Sequence, residues 1–370
     1  MFGLFSAGLS AQAPGAPAAS AALRLVAERP FASGGAVELV LHSERLGRDY
    51  AVVVAPPSGT FAAMGRKLPV IYALDGGHGI AGTLGQFLSG IGMMSLAYVV
   101  SVGVPDADRI YDFIDTPVER DGAVVGGGGA KFRGFLLDEL RPYLEARFPL
   151  DAACSALVGH SLAGAFTAGV LSRSPEAFSA YVIASPSLWA DPKLPAALAK
   201  AASTGARARV YVSVGEKERA ELLNDFERVG AALSGPGSTF AVERRVFAGE
   251  THVSYLPQLV TAAFSWMLPP PPPALSRTAI ALPPERLDRL AGVYQLEDGR
   301  TITITRSGAQ IFSQVSTSAM KAPLLAETPS RFFVRGFDYV VAFEGAGGAA
   351  ASGLVFRLNG AEVKATRVAP

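Results

Sequence analysis

Ser161 lies in Val158-Gly159-His160-Ser161-Leu162-Ala163-Gly164, between an apolar run suited to a buried strand and Ala165-Phe166-Thr167-Ala168-Gly169-Val170-Leu171, suited to a helix. A serine on a sharp strand-to-helix turn presents its hydroxyl outward, which is the arrangement of a nucleophile elbow. Such a turn tolerates only small neighbours. Gly159 supplies one, and Ala163 stands where a second glycine is usual, so the pattern is G-x-S-x-A with Gly164 directly after it. A serine hydroxyl is a poor nucleophile at neutral pH and needs a base within hydrogen-bond reach. Of the four histidines, His252 alone follows the serine, and strand-borne triads of this kind run serine, acid, histidine along the chain. The run Val210–Val214 ends in Gly215-Glu216-Lys217-Glu218, so Glu216 and Glu218 compete to orient the imidazole. The run Arg245–Phe247 leads through Ala248–Thr251 to His252. Together these residues would perform acyl transfer, with attack of the hydroxyl on a carbonyl carbon.

The oxyanion formed in that attack needs backbone N–H donors, one from the residue after the nucleophile and one from a loop after an earlier strand. Leu162 supplies the first by position. Leu74-Asp75-Gly76-Gly77-His78 supplies the second, since glycines let backbone approach substrate closely; Gly77 is the first choice and Gly76 the alternative. His78 either points into the cleft or caps the turn. His160 precedes the nucleophile on its strand and is expected to point away from it in a structural role. Gly126–Gly129 reads as a flexible loop able to border the cleft. It lacks the following Lys-Ser or Lys-Thr of a phosphate loop.

The elements that must position these groups alternate. Strand-like runs occur at Val37–Ser43, Asp49–Ala55, Leu68–Leu74, Ala97–Val104, Tyr181–Ser185, Val210–Gly215 and Phe240–Phe247. Short runs that are apolar throughout suit parallel strands covered on both faces. Phe132, Phe135, Leu136, Leu140, Tyr143, Leu144 and Phe148 recur at helical spacing over Lys131–Phe148, with Pro142 expected to kink the helix. The alternation predicts an α/β sandwich with a mostly parallel sheet and helices on both faces. After Leu268 come five consecutive prolines, Pro269–Pro273, a stiff spacer. Beyond it the segments Gly292–Leu296, Thr301–Thr305, Arg331–Val334 and Leu354–Leu358 alternate between turns, predicting a small antiparallel β domain. The organisation expected is a leader over 1–22, the α/β domain over 23–268, a Pro-rich linker over 269–284 and the β domain over 285–370.

The chain has 370 residues, a formal net charge of +1 and 18% charged residues. That balance implies neither nucleic acid nor an acidic membrane surface as partner. The single cysteine, Cys154, excludes an intrachain disulfide and cysteine-cluster metal sites, and is expected as a small buried apolar side chain. The chemistry needs no metal or organic cofactor. No stretch reaches the ~18–20 apolar residues of a membrane span. The leader is small and apolar, and Ala11-Gln12-Ala13 has the form of a secretory cleavage site without a basic region before it. A periplasmic or secreted location is expected if this is a signal, and a disordered leader on a cytoplasmic protein if it is not.

Four segments, in order, carry a resemblance: Arg109-Ile110-Tyr111-Asp112-Phe113-Ile114-Asp115-Thr116-Pro117; Phe132–Phe148 with Glu139-Leu140-Arg141-Pro142; the elbow Val158–Gly164; and Ala184-Ser185-Pro186-Ser187-Leu188-Trp189. Over about Leu39–Leu268 the chain resembles the putative esterase family of α/β hydrolases, which includes siderophore esterases, feruloyl esterases, S-formylglutathione hydrolase and mycolyltransferases. Leu74-Asp75-Gly76 and Ser185-Pro186-Ser187-Leu188-Trp189 are most similar to the siderophore-esterase branch. The resemblance implies an α/β-hydrolase fold, a serine carboxylic-ester hydrolase acting on a small-molecule ester through an acyl-enzyme, Ser161 as nucleophile, His252 as base, Glu218 rather than Glu216 as acid, and Gly76, His78 and Trp189 at the substrate. Ala163 and Ala190 depart from the family pattern, the second at the acyl pocket. Acyl transfer to an alcohol and a non-catalytic binding role on the same scaffold are the alternatives.

Overall fold

A computed structural model describes residues 23–31, 36–57, 67–75, 97–268, 277–316, 321–334, 339–345, 347, 349–358 and 361–368. The expected leader, Pro269–Pro273 and the Gly76-Gly77-His78 segment lie outside the described residues. The apolar runs become β1 (Leu23–Pro30), β2 (Val37–Ser43), β3 (Arg48–Ala55), β4 (Leu68–Leu74), β5 (Tyr98–Gly103), β8 (Leu150–His160), β9 (Ala180–Ala184), β10 (Arg209–Gly215) and β11 (Ala241–Phe247); β6 (Val118–Arg120) and β7 (Ala123–Val125) form a separate hairpin. These nine form one sheet in the order β1-β2-β3-β5-β4-β8-β9-β10-β11. Pairing is antiparallel from β1 to β5 and parallel from β5 to β11.

Alternate residues of the parallel strands enter different cores. Val70, Tyr72, Val100, Leu157, Ile183 and Val212 pack on one face, while Ile71, Val99, Ala156, Val182 and Tyr211 pack on the other. Burial on both faces is why these strands are apolar throughout rather than alternating. The second face is covered by the helix Leu256–Met267, through Leu259, Ala263 and Phe264. The helices Leu162–Arg173, Leu194–Ala202 and Ala220–Leu233 contribute Phe166, Leu198 and Phe226 to the first.

The predicted helix around Pro142 forms as α (Gly129–Gly134), π (Phe135–Leu140) and α (Arg141–Arg147) in succession. Pro142 has no N–H to give, and it falls at the start of the last α segment, where that loss is tolerated. Two buried carboxylates anchor the neighbouring helices to the β2–β3 hairpin. Asp112 accepts the Tyr50 hydroxyl at 2.7 Å and pairs with Arg48; Glu139 accepts Ser43 Oγ at 2.8 Å and Arg45 Nε at 2.6 Å. The acidic residues of the first two resemblance segments are therefore ties between elements.

Gly126–Gly129 is not a loose loop. Gly127 N and Gly129 N donate to Ile114 O at 2.8 and 3.0 Å, and Gly128 N donates to Tyr111 O at 2.9 Å. Cys154 is half-buried rather than buried, because residues 152–153 beside it are exposed.

The C-terminal antiparallel region closes on itself. β12 (Gly292–Leu296), β13 (Thr301–Ser307), β14 (Gln310–Val315), β15 (Ala322–Ala326), β16 (Arg331–Phe333), β17 (Tyr339–Glu344), β18 (Gly353–Leu358) and β19 (Ala361–Val368) form an up-and-down barrel, with β19 pairing back on β12. Closure leaves no unpaired edge. Tyr294, Ile302, Ile304, Ile311, Phe332, Val341, Phe343, Leu354 and Phe356 are buried in its core.

Candidate active site

The site is built at the carboxyl ends of the parallel strands β8, β9, β10 and β11, the end at which open α/β sheets bind ligands. β8 runs to His160, and the chain turns through Ser161 into the helix Leu162–Arg173 with φ +60° and ψ −118° at the serine. That backbone is strained for a residue with a side chain and persists only when its surroundings fix it. They do: Ser161 N donates to Ala184 O at 2.9 Å, and Ser161 O accepts Ser187 N at 3.2 Å and Ala165 N at 3.1 Å. A Cβ on Gly159 would lie 2.1 Å from Ala163 O and 2.4 Å from Thr167 Oγ1, so only glycine lets the helix return so close to the strand. Ala163, at the position where glycine is usual, is fully buried without displacing the turn.

The neighbouring loops are stitched to the elbow in sequence. Ser185 N donates to Ser213 O at 2.8 Å, Glu216 N to Phe247 O at 3.0 Å and Lys217 N to Glu250 O at 2.8 Å. Leu188 N donates to Asp225 Oδ2 at 2.9 Å, which fixes the turn carrying Trp189. Gly215 is likewise required by contact. A Cβ there would meet Glu250 O at 2.7 Å and Thr251 O at 2.8 Å, the backbone that delivers His252.

Of the two candidate acids, Glu218 meets the histidine. His252 Nδ1 and Glu218 Oε2 are 2.7 Å apart, while Glu218 Oε1 accepts Ser185 Oγ at 2.6 Å and Gly215 N at 2.8 Å. Glu216 turns outward and accepts Gly249 N at 2.6 Å. The Glu218 side chain is wholly buried and that of His252 is 37% exposed. Burial pushes the Glu218 carboxyl upward, but the hydrogen bonds from His252, Ser185 and Gly215 outweigh it and hold the group below the usual carboxylate range. An ionised Glu218 requires the proton of His252 on Nδ1, which leaves Nε2 as the basic nitrogen.

The Ser161 hydroxyl is 3.4 Å from Ser187 Oγ and makes no hydrogen bond to His252 in this arrangement. The ring of His160, the residue before the serine, lies 4.4 Å from the ring of His252. The sequence predicts that His160 points away from the site, yet its ring is packed against that of His252. Burial, then the adjacent His252, push its pKa down to about 4, so it is neutral at neutral pH. Leu162 opens its helix, where the first N–H groups have no intrahelical acceptor. Asp75, at the end of β4, adopts φ +53° and pairs with Arg109. Trp189 is half-buried under the Arg120 guanidinium, 3.9 Å from its ring. The sequence alone assigns no role to Ser185, Ser187, Asp225 or Tyr255. Their partners are distant in the chain, and only Ser185 and Ser187 lie within a segment that carries the family resemblance.

A mostly parallel sheet with flanking helices and a serine elbow at the carboxyl end of a central strand defines an α/β hydrolase. The model of the family described as Putative esterase matches residues 43–258, and the chain belongs to that family. It is a carboxylic-ester hydrolase. The chain is 29% identical over 279 residues to the ferri-bacillibactin esterase BesA of Bacillus subtilis, covering 66% of this chain and 94% of that protein. Among solved structures, the BES protein from Bacillus cereus superposes with a TM-score of 0.55 at 24% identity, covering 66% of this chain and 99% of that one. Siderophore hydrolase EstB from Aspergillus nidulans does so with a TM-score of 0.55 at 20% identity, covering 65% and 97%. Those two likenesses concern the fold. Among the described residues no helix is long and apolar enough to cross a membrane, and no His, Cys, Asp and Glu cluster has the form of a metal site.

Proposed function

We propose that this esterase works through Ser161, His252 and Glu218 by way of an acyl-enzyme, on siderophore-type or other small esters. The reading is carried by the 2.7 Å contact between His252 Nδ1 and Glu218 Oε2, made beside a strained serine elbow. Ser161 Oγ attacks the ester carbonyl as His252 Nε2 takes its proton. The tetrahedral oxyanion is received by the N–H of Leu162 and that of Gly77, with Gly76, His78 and Trp189 lining the substrate. Collapse breaks the acyl–oxygen bond, and the imidazolium protonates the departing alkoxide. Water, deprotonated by the same nitrogen, then attacks the acyl-enzyme and releases the acid, returning the proton to Ser161. Glu218 keeps Nδ1 protonated and stabilises the imidazolium formed twice per cycle. The Ser161–His252 hydrogen bond forms in the substrate complex, as free enzymes often hold such contacts long or misaligned. The substrate class is supported by the name of the Bacillus subtilis relative.

Ser161→Ala should lower turnover of p-nitrophenyl acetate by about 10⁴-fold or more and abolish labelling by a fluorophosphonate. Wild-type turnover by that variant overturns the nucleophile assignment. Hydrolysis of a ferric trilactone siderophore, compared with aryl esters of increasing acyl length, tests the substrate class. A specificity constant for the trilactone no better than for p-nitrophenyl acetate would count against it.

A further inference from the structure

Glu218 is not held by His252 alone. Tyr255 Oη lies 2.5 Å from Ser185 Oγ, and Ser185 Oγ lies 2.6 Å from Glu218 Oε1. The geometry points to Tyr255 and Ser185 as positioning residues that act in series on Glu218, and through it on His252. This inference rests on the triad reading above and deepens it.

Proton accounting fixes the direction of the chain. The ionised carboxylate only accepts, so the one proton of Ser185 is committed to Glu218 Oε1. The contact between the two hydroxyls must then be donated by Tyr255. Every group around Glu218 therefore gives a hydrogen bond inward: Ser185 and the Gly215 N–H to one oxygen, His252 Nδ1–H to the other. The Tyr255 hydroxyl belongs to a residue three positions after His252, in the turn that precedes the helix Leu256–Met267. The path His252, Glu218, Ser185, Tyr255 and back along the chain is thus closed. Both the imidazole and its carboxylate are fixed relative to one turn of backbone.

Neither hydroxyl is explained by packing. The Tyr255 ring is fully buried, stacked on Phe247 at 5.1 Å and edge-on to His160 at 5.9 Å, contacts that a phenylalanine would keep. Ser185 adopts φ +43°, a conformation glycine reaches without strain. Both positions thus carry a hydroxyl beyond what the fold asks of them. Among the described residues, the titratable groups facing Glu218 are His252 and Tyr255, with His160 behind His252.

The test measures kcat and KM for p-nitrophenyl acetate against pH, using the full chain carrying Ser185→Ala, Ser185→Gly, Tyr255→Phe and the Ser185→Ala/Tyr255→Phe pair. A hydrogen bond to a charged group sets the scale. Ser185→Ala should lower kcat about 10- to 100-fold with KM little changed, and Tyr255→Phe should lower it about 2- to 10-fold. In both, the acidic limb of kcat/KM should move to higher pH, because a carboxylate with fewer or weaker donors takes up a proton more readily. A series relay requires Tyr255→Phe to cost nothing further once Ser185 is alanine, or once Glu218 is glutamine. Ser185→Gly should be as impaired as Ser185→Ala. Equal fold-losses for Tyr255→Phe in every background, or a wild-type rate and profile in Ser185→Ala, overturn the relay. Should the Ser185 variants fail to fold, Tyr255→Phe compared between the wild-type and Glu218→Gln backgrounds decides it. Full activity in Ser161→Ala would instead sink the triad reading, whatever the relay variants do.

Discussion

Two regions of this molecule bury a carboxylate against a hydroxyl, and they use it differently. Near the β2–β3 hairpin, Asp112 is held by Tyr50 and Arg48, and Glu139 by Ser43 and Arg45. At the carboxyl ends of the parallel strands, Glu218 is held by Ser185, a backbone N–H and His252. The basic partner decides the outcome. Arginine keeps its charge at every accessible pH, so a carboxylate facing it can only tie elements together. His252 is partly exposed, and in the mechanism proposed above the same kind of carboxylate serves a side chain that carries a proton between reacting groups. Ser185, which donates to Glu218, adopts a positive φ, as does Ser161 at the elbow.

The largest effect expected from exchanging these roles is at Glu218. Glu218→Gln keeps the shape but offers an amide to Nδ1, which permits the wrong tautomer and no longer stabilises the imidazolium. By analogy with the amide replacement of a triad aspartate, kcat should fall about 10³- to 10⁴-fold. Steady-state kinetics on p-nitrophenyl acetate measure it. A loss under tenfold would place Glu218 with the tying carboxylates, and a Ser-His pair would carry the chemistry.

How much of this was legible in the chain depends on how local each cause is. The elbow at Ser161 was legible because strand, small-residue turn and helix are consecutive. The two-sided apolar strands were legible because burial on both faces writes itself into every residue. The choice between Glu216 and Glu218 was not settled by the residues themselves. It turns on a backbone bend in which Glu218 N meets Gly215 O at 3.2 Å, sending one carboxylate inward and the other to Gly249. Tyr255 was not legible at all: its ring lies in an apolar core, and its hydroxyl meets a serine 70 residues earlier. Closure of the barrel was hidden for the same reason, since Tyr294 pairs with Arg367.

The next effect should appear as stability. Asp112→Ala removes the acceptor of a buried tyrosine hydroxyl and one partner of Arg48, which keeps Asp108 at 2.8 Å. Breaking a buried pair from one side costs about 3 kcal/mol. In a domain of this size that lowers the melting temperature by about 6–12 °C. Calorimetry should show the fall while kcat/KM at 25 °C stays within about twofold. A much larger loss of kcat/KM in folded protein would erase the distinction between the regions.

Gly215→Ala is expected to be smaller in stability and to show in rate. The new methyl group would press on the carbonyls of Glu250 and Thr251 and push His252 away from Glu218. Overpacking of this kind costs about 1–3 kcal/mol. A displaced base should also lower kcat by about tenfold or more. Unchanged kcat would mean that the loop bearing His252 adapts freely.

The pH dependence of folding, spread over several pH units, separates the regions by sign. His160 has a folded-state pKa near 4 against 6.5 in the unfolded chain. Between those values the unfolded chain binds a proton that the folded one refuses, so stability is fully present above pH 6.5 and drains away as pH falls toward 4. The full shift corresponds to about 3 kcal/mol. Glu218, held below its usual value, loses its contribution in the same direction at lower pH. Asp112 runs oppositely, because burial raises its pKa in spite of Tyr50 and Arg48, so acid relieves it. Urea unfolding of wild type at pH 4.5, 5.5 and 6.5 should therefore show stability rising with pH. His160→Gln should flatten that slope by about one proton, and Asp112→Asn should leave it intact or steepen it. If His160→Gln leaves the slope unchanged, the imidazole beside His252 titrates freely in the folded protein, and the burial assigned to that end of the sheet is wrong.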